Sequence, residues 1–340
     1  MKKTTLILIA LIALTQGAWA QSKIYFPEIP TEYVECSWSG DNTTGHVVQT
    51  TKSKGITEEK WLGVTTTTLS GWCYLRESKT YDDTRLVVTS DCYLILADGK
   101  TMTCEKGIQI KEGCTLTVYA QSGGTGKIVC SGGNGDNAAL GGNKDEVGGY
   151  LVIHGGTITA SASSNNAAGI GGGNHGSGLQ GVTIYAGTVT ATGKSSGAGI
   201  GAGQQNNTLP TVKIYGGTVT ATGGSGGAGI GGGEDRGGGK VYIYGGTVTA
   251  QGGSNAAGIG GGVGGSNCNG FGTMEPCIAK ALGQPEKLFA NNTYQVKNYA
   301  NFELGGFSEE AKRKYREEHW EEDLQKAFEA GKRMAETILD

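Results

Sequence analysis

One segment of the chain occurs four times in succession, and this repetition constrains the fold more than any other feature. The copies begin with VIHGGTITA, TIYAGTVTA, KIYGGTVTA and YIYGGTVTA, and each continues to an AGIG motif. The isoleucine of that motif falls at positions 170, 200, 230 and 259, in steps of 30, 30 and 29 residues. A fixed period of this length is typical of solenoids, in which each unit buries its apolar edge against its neighbours.

Within each copy, apolar and polar residues alternate with the period of a β-strand. Paired glycines, or Ala186-Gly187, divide this alternating stretch into two short strands, and the AGIG segment adds a third short edge. Three short edges per coil predict an all-β fold, a parallel β-helix with coils of about 30 residues. We assign these apolar residues of two copies to the interior: Val182, Ile184, Val189, Ala191, Val212, Ile214, Val219 and Ala221.

Glycine is the outlier of the composition, with 63 of 340 residues. Without a period, so much glycine would favour disorder, which remains the minor alternative. Here the glycines recur at fixed positions beside β-branched residues, which favours ordered turns that require a positive φ angle.

The ends of the chain lack the repeat. Residues 1–20 combine Lys2 and Lys3, an apolar run and an Ala18-Trp19-Ala20 cleavage site, and are interpreted as a signal peptide cleaved near Ala20. We therefore expect a secreted, periplasmic or cell-surface protein without a membrane span. Residues 21–85 are predicted to form an irregular N-terminal cap, or else a separate binding module, and residues 86–267 the β-helix with its Gly-rich repeats.

The C-terminal part is divided into a cap over residues 268–306 and an amphipathic helix over residues 307–340. Ser308 is a suitable N-cap, and Glu309 and Glu310 in the first turn suit the helix dipole. Apolar residues follow at helical spacing, including Leu324 and Phe328. We expect this helix to cover the last coil, with partner binding as the alternative.

Eight cysteines in an exported chain predict disulfide bonds. Aligning CYLIL with CTLTV stacks Cys92 over Cys114, and aligning TMTC with KIVC stacks Cys104 over Cys130. A rung spacing of about 4.8 Å suits a disulfide. Cys268 is expected to pair with Cys277 across a short loop, which leaves Cys36 with Cys73. A metal site is the weaker alternative, because no C-x-x-C spacing or neighbouring histidine is present.

The repeats offer little for catalysis, so we predict that the chain is not an enzyme. From residue 151 to 265 the only carboxylates are Glu234 and Asp235, which are adjacent, whereas glycoside hydrolysis needs two that face one bond. Asp136, Asp145 and Glu146 could assemble near one turn as a cluster of carboxylates. A solvated loop is the favoured interpretation. No cofactor is predicted. Calcium is only a weak alternative, because the run 132–136 matches a calcium-binding repeat in part and occurs once.

Removal of Lys2 and Lys3 leaves 26 basic against 31 acidic residues, and this balance disfavours nucleic acid as a partner. Two outward columns could instead contact a ligand. The first is aromatic, and stacking of sugars on its rings competes with stacking of the rings on each other. It consists of Tyr119, His154, Tyr185, Tyr215 and Tyr244.

The second column is formed by T-x-T pairs, such as Thr188 with Thr190 and Thr218 with Thr220. Regular arrays of this kind on β-solenoids resemble those of ice-binding proteins. Threonine is also simply a favourable residue for an exposed strand.

Several segments together carry a family resemblance: DCYLILADGKTMT, GIQIKEG, TLTVYAQSGGTGKI and the repeated GGTVTATGGSGGAGIGGG. They resemble exported bacterial Gly-rich β-helix proteins of the carbohydrate-binding or adhesin-like class, over about residues 86–265. The resemblance implies a right-handed parallel β-helix with glycan binding at the cell surface, and it carries no catalytic motif. The leading function is therefore that of a secreted, non-catalytic protein that binds a polysaccharide or cell-surface glycan, or mediates surface adhesion. A purely structural surface protein and a polysaccharide lyase or hydrolase remain alternatives, with ice binding as a remote one. The oligomeric state and the particular glycan stay open.

Overall fold

The fold is seen in a computed structural model, which describes residues 27–263 apart from 42–43, 64, 133–134, 164, 176–177, 206–209 and 255. It also describes helical residues 314, 317–318, 321–322, 324–325 and 328–329. A 3₁₀ turn spans Glu58–Lys60. The strands in chain order are β1 Ile29–Ser39, β2 His46–Ile56, β3 Thr68–Leu75, β4 Lys79–Tyr81, β5 Leu86–Leu96, β6 Thr101–Cys104, β7 Ile108–Ile110, β8 Thr115–Ala120, β9 Lys127–Ser131, β10 Leu140–Gly141, β11 Tyr150–Ile153, β12 Thr157–Ser161, β13 Ile170–Gly171, β14 Gly181–Ile184, β15 Thr188–Thr192, β16 Ile200–Gly201, β17 Thr211–Ile214, β18 Thr218–Thr222, β19 Ile230–Gly231, β20 Lys240–Ile243, β21 Thr247–Gln251 and β22 Ile259–Gly260.

These strands form a parallel β-helix, which confirms the predicted fold class. Each coil contributes one strand to each of three faces, and equivalent strands of successive coils pair in parallel. The first face runs β8–β11–β14–β17–β20, the second runs β4–β6–β9–β12–β15–β18–β21, and the third runs β7–β10–β13–β16–β19–β22. The pairing follows the repeat, so that Ile184 lies opposite Ile214 and Val189 opposite Val219.

The core is a set of apolar columns that run along the solenoid. All eight residues assigned to the interior from the sequence are fully buried, as are Ile170, Ile200 and Ile230 on the third face. Burial of one such Val or Ile side chain contributes about 1.5–3 kcal/mol before the loss of chain entropy is counted. Because every column is shared between neighbouring coils, the stability of one coil depends on the coils on either side.

Glycine after the third-face isoleucine allows the coils to approach closely. Gly171 has a φ angle of +139° and Gly201 one of +146°. A Cβ atom on Gly171 would overlap the carbonyl oxygen of Gly201, and one on Gly201 would overlap that of Gly231. The last glycine of the AGIG motif is therefore required for two reasons: its backbone has a positive φ angle, and its contact with the next coil leaves no space for a side chain.

The β-helix begins earlier than the sequence indicated. Within the range predicted as cap, β3 already pairs in parallel with β5, and β4 pairs with β6. The 11-residue β5 turns a corner, since its first part pairs with β7 and its second part with β8. At this corner the half-buried Arg85 side chain donates from its guanidinium to the carbonyl oxygens of Lys106 at 2.7 Å and Ala138 at 2.9 Å. Burial lowers the pKa of Arg85 to about 10.

Strands β1 and β2 form an antiparallel hairpin, here called the N-terminal hairpin. Its strand β1 pairs with β8 at one position, where Val34 lies opposite Ala120. Further contacts reach rings of later coils, including Tyr215 and Tyr244. The hairpin therefore lies along the outside of the first face, rather than only at the open end of the solenoid as a cap would.

Two predicted segments lie wholly outside the described residues: the signal peptide over 1–20 and the C-terminal cap over 268–306. Within 307–340, the described residues are helical, and Leu324 and Phe328 are exposed. Among the residues that the structure describes, no helix combines the length and the apolar character needed to cross a membrane.

Candidate functional site

The five aromatic residues predicted as a ligand-binding column form one continuous stack, here called the aromatic ladder. The Tyr119 ring belongs to the last residue but one of β8, and each of the other four rings directly follows the last residue of a first-face strand. Parallel pairing therefore places successive rings one coil apart. Neighbouring centroids lie 4.7–5.0 Å apart, and neighbouring planes are inclined by 5–9°. The ladder consists of Tyr119, His154, Tyr185, Tyr215 and Tyr244.

Within the ladder, the ring faces are occupied by neighbouring rings. His154 stacks between Tyr119 and Tyr185, and Tyr215 stacks between Tyr185 and Tyr244. A sugar can stack only on a free ring face, and parallel coils at one rung spacing bring the rings into contact with one another. The alternative weighed from the sequence, in which the rings stack on each other, describes the interior of the ladder.

The N-terminal hairpin covers an edge of the ladder. The Tyr33 ring lies 4.7 Å from that of Tyr119, and the Trp38 ring lies 5.2 Å from that of Tyr215. Tyr119 is 5% exposed and His154 8% exposed, whereas the last three rings are half-buried. The ladder is therefore a packing seam between hairpin and solenoid, a role that the sequence did not indicate.

At His154 the seam is polar. The backbone N–H of Cys36 donates to Nδ1 of His154 at 3.0 Å, and the Cys36 thiol donates to the His154 carbonyl at 3.1 Å. Because Nδ1 accepts this hydrogen bond, the imidazole is neutral, with its proton on Nε2. Burial lowers the pKa of His154, while nearby Glu35 acts in the opposite direction.

An open groove lies near the other end of the hairpin, at the first coil. It has a volume of about 300 Å³ and is here called the N-terminal groove. Its lining residues come from β1, β3, the start of the turn after β3 and the segments after the 3₁₀ turn and β8. They are Ile29, Pro30, Thr31, Glu32, Trp61, Tyr74, Arg76 and Gln121.

The groove combines an aromatic ring with planar polar groups. The Arg76 guanidinium lies 4.2 Å from the Trp61 ring centroid, a cation–π contact that holds it in place. Glu32 accepts the backbone N–H of Ser122 at 3.0 Å, which fixes its carboxylate in the wall. The buried indole N–H of Trp61 has no hydrogen-bond partner among the described residues. Such a donor is costly to leave unpaired.

These groove residues were missed at the sequence level, because they follow no period and are far apart in the chain. The only signal was the concentration of tryptophan in residues 21–85, which includes Trp38, Trp61 and Trp72. Of these, Trp61 lines the groove, Trp38 contacts the ladder, and Trp72 stacks near its first ring at 5.8 Å from Tyr119.

The carboxylates weighed as catalytic candidates have separate partners. Glu234 accepts the Ser196 hydroxyl and the Gln204 amide. Asp136 accepts the Asn174 amide at 3.1 Å, and Glu146 accepts that of Gln109. No group of three or more metal-ligating side chains occurs within the described part of the chain. Residues 133–134 of the calcium-like run lie outside that part.

The second face presents the threonine columns in register. Here called the threonine face, it exposes three columns on β12, β15, β18 and β21. Its members are half-buried or exposed, as the alternation predicted. The columns are Thr157–Thr188–Thr218–Thr247, Thr159–Thr190–Thr220–Thr249 and Ser161–Thr192–Thr222–Gln251.

Of the two cysteine alignments predicted from the sequence, the structure contains only one. Cys104 lies directly opposite Cys130, but Cys92 lies opposite Leu116 instead of Cys114. The alignment of CYLIL with CTLTV is therefore wrong by two residues, since the long β5 turns its corner before it pairs with β8. Cys268 and Cys277 lie outside the described residues.

The predicted pair of Cys36 with Cys73 is also not formed. Cys36 contacts His154, whereas the Cys73 thiol is hydrogen-bonded to Cys92. That hydrogen bond lowers the pKa of Cys73 to about 7, and burial opposes it. The six described cysteines are buried thiols.

The stacked sheets and their repeated core define this chain as a parallel β-helix repeat protein. A family model described as a beta helix repeat matches residues 151–174, 182–204, 212–234 and 241–263. Each match covers most of one coil, from the first face to the turn after the third. No curated protein and no solved structure matches the chain.

Proposed function

We propose that this chain is an exported, non-catalytic protein that binds polysaccharide and serves in adhesion at the cell surface, with the N-terminal groove as its binding site. The signal-peptide pattern of residues 1–20 supports export. The resemblance to Gly-rich carbohydrate-binding β-helix proteins supports the ligand class.

The observation that carries the proposal is the composition of the groove wall. Trp61 and Tyr74 offer aromatic surface, while Glu32, Arg76 and Gln121 offer hydrogen-bonding groups toward the same open space. Aromatic rings with a few convergent planar polar groups suit a ligand that is rich in hydroxyl groups. A volume of about 300 Å³ is at the low end of ligand pockets, so the groove suits a short segment or an end of a glycan chain.

The absence of catalysis is proposed from the placement of the carboxylates. Glu234 and Asp136 are tied to partners on neighbouring coils, and Glu146 is tied to Gln109. Within the described groove lining, Glu32 is the only carboxylate, whereas hydrolysis of a glycosidic bond ordinarily uses two.

The threonine face supports a second candidate, the recognition of a regular surface such as ice. The supporting observation is its register, since each hydroxyl column repeats at every coil from β12 to β18. Thermal hysteresis of the purified protein would support this candidate, and normal ice growth would remove it. A purely structural surface protein is the third candidate and would show neither activity.

The proposal is tested on a polysaccharide array with the chain 21–340. We expect at least one glycan to bind, without release of reducing or unsaturated ends. The double variant Glu32→Gln/Arg76→Gln should weaken that binding at least tenfold, about 1.4 kcal/mol. A matched control is Glu77→Gln/Lys79→Gln, which changes the same charges at an exposed ion pair of 3.4 Å outside the groove.

Four outcomes would contradict the proposal. Unchanged binding in the folded groove variant would exclude the groove. Equal weakening in the control would indicate a general charge effect. Glycan cleavage products would show an enzyme. A protein that binds nothing on the array favours the structural candidate.

A further inference from the structure

The buried thiols of the first coils take no part in the proposed glycan site. Five thiols, those of Cys73, Cys92, Cys104, Cys114 and Cys130, belong to the same buried core of the solenoid. They occur where the chain forms its first coils. In the later coils, the column that contains Cys104 and Cys130 continues with Ala160, Ala191, Ala221 and Ala250.

We propose that Cys104 and Cys130 form a disulfide bond that joins β6 to β9, and that Cys36, Cys73, Cys92 and Cys114 remain thiols. Cys104 and Cys130 are direct partners in parallel strands, so their Cα atoms are about one rung apart, roughly 4.8 Å. This separation lies within the range of disulfides, about 4.4–6.8 Å. As direct partners in parallel strands, the two side chains lie on the same face of the sheet, and this face is buried in the core.

Cys92 has a different geometry toward both of its neighbours. Cys73 lies opposite Leu94, and Leu116 lies opposite Cys92. Cys73 and Cys114 are therefore each displaced from Cys92 by one rung and two residues along the strand. Such a diagonal is about 8 Å between Cα atoms, beyond the reach of a disulfide without backbone movement.

The reaction is an exchange with an external disulfide oxidant. The thiolate of one cysteine attacks the oxidant and forms a mixed disulfide, and the second cysteine displaces the oxidant as a thiol. In total the two cysteines lose two protons and two electrons, and the oxidant's disulfide becomes two thiols. In the folded chain Cys104 is 0% and Cys130 1% exposed, so the exchange must occur while the coils assemble. The hydrogen bond from Cys130 and burial also raise the pKa of Cys104, which disfavours the reactive thiolate.

Trypsin separates the six described cysteines, because Lys and Arg residues place each one on its own peptide. The reduced chain 21–340 is refolded with oxidised glutathione, its remaining thiols are alkylated in denaturant, and its peptides are mapped without reduction. We expect the peptides 101–106 and 128–144 to be linked, and the peptides of the other four cysteines to be alkylated. Alkylation of Cys104 and Cys130, or a link from either to another cysteine, would overturn the proposal.

A second measurement uses Cys104→Ala/Cys130→Ala, which copies the alanines of the later coils and is expected to fold. The urea midpoint of the wild type should fall on reduction, and that of this variant should not. Cys73→Ala/Cys92→Ala serves as the control and should keep the wild-type shift. A wild-type midpoint that is insensitive to reduction would contradict the proposed bond.

Discussion

Acid should release the N-terminal hairpin from the aromatic ladder, because His154 accepts the Cys36 N–H only while its Nδ1 is unprotonated. Protonation would place an N–H on each side of that 3.0 Å contact and leave a buried donor unpaired. The expected cost is about 1–3 kcal/mol of hairpin docking. His154 is 8% exposed, so solvent offers little compensation.

The direction of the pKa shift of His154 determines whether hairpin docking weakens as the pH rises or as it falls. Burial lowers the pKa of His154 below its ordinary value of about 6.5. The contribution to stability is therefore complete above about pH 6.5 and is lost as the pH falls through the folded-state pKa. Charges of the hairpin modulate the shift, since Glu35 raises the pKa of His154 and Lys52 lowers it, and these two side chains form an ion pair with each other.

Amide hydrogen exchange of the hairpin peptide 29–39 measures this release, corrected for the intrinsic pH dependence of exchange. Protection should be lower at pH 5 than at pH 7.5, while peptides of β14 and β17 should keep theirs. His154→Asn supplies an amide oxygen near the position of Nδ1 and cannot titrate, so its hairpin protection should not depend on pH. His175→Asn, at an exposed histidine, is the matched control. Equal hairpin protection at both pH values in the wild type, or the same acid response in His154→Asn, would refute the reasoning.

Two further predictions concern the coils. Gly201→Ala should destabilise the protein by more than about 4 kcal/mol, because the new Cβ would overlap the Gly231 carbonyl at a φ angle of +146°. Gly99→Ala, at φ +70° in open space, should cost only about 1–2 kcal/mol, and similar urea midpoints for the two variants would contradict this. Ile200→Ala should lower the free energy of unfolding by about 2–5 kcal/mol, as measured by urea denaturation, because Ile200 is fully buried in the third-face column. A loss below 1 kcal/mol would mean that the coils can collapse around the missing side chain.

Prediction from the sequence succeeded where the pattern is local and repeated. Alternation within each copy assigned Val182 and Ile184 to the interior, and both are fully buried. The same repeats, together with the similar strand pattern upstream of them, placed the five ladder residues in one column. The sequence did not show that the column is closed, because ring stacking and hairpin docking depend on the distance between coils and on a segment about 80 residues or more away in the chain.

Strand length and alternation depend on residues that are close together in the chain. The sequence by itself therefore determined the parallel β-helix, its period and its core. Tertiary structure decided the register of Cys92 with Leu116, the course of the hairpin over His154, and the assembly of the groove from Glu32, Trp61 and Arg76. None of these contacts repeats along the chain. They arise from single pairings between distant segments, whose free energy depends on the folded solenoid as a whole and leaves no periodic signal in the sequence.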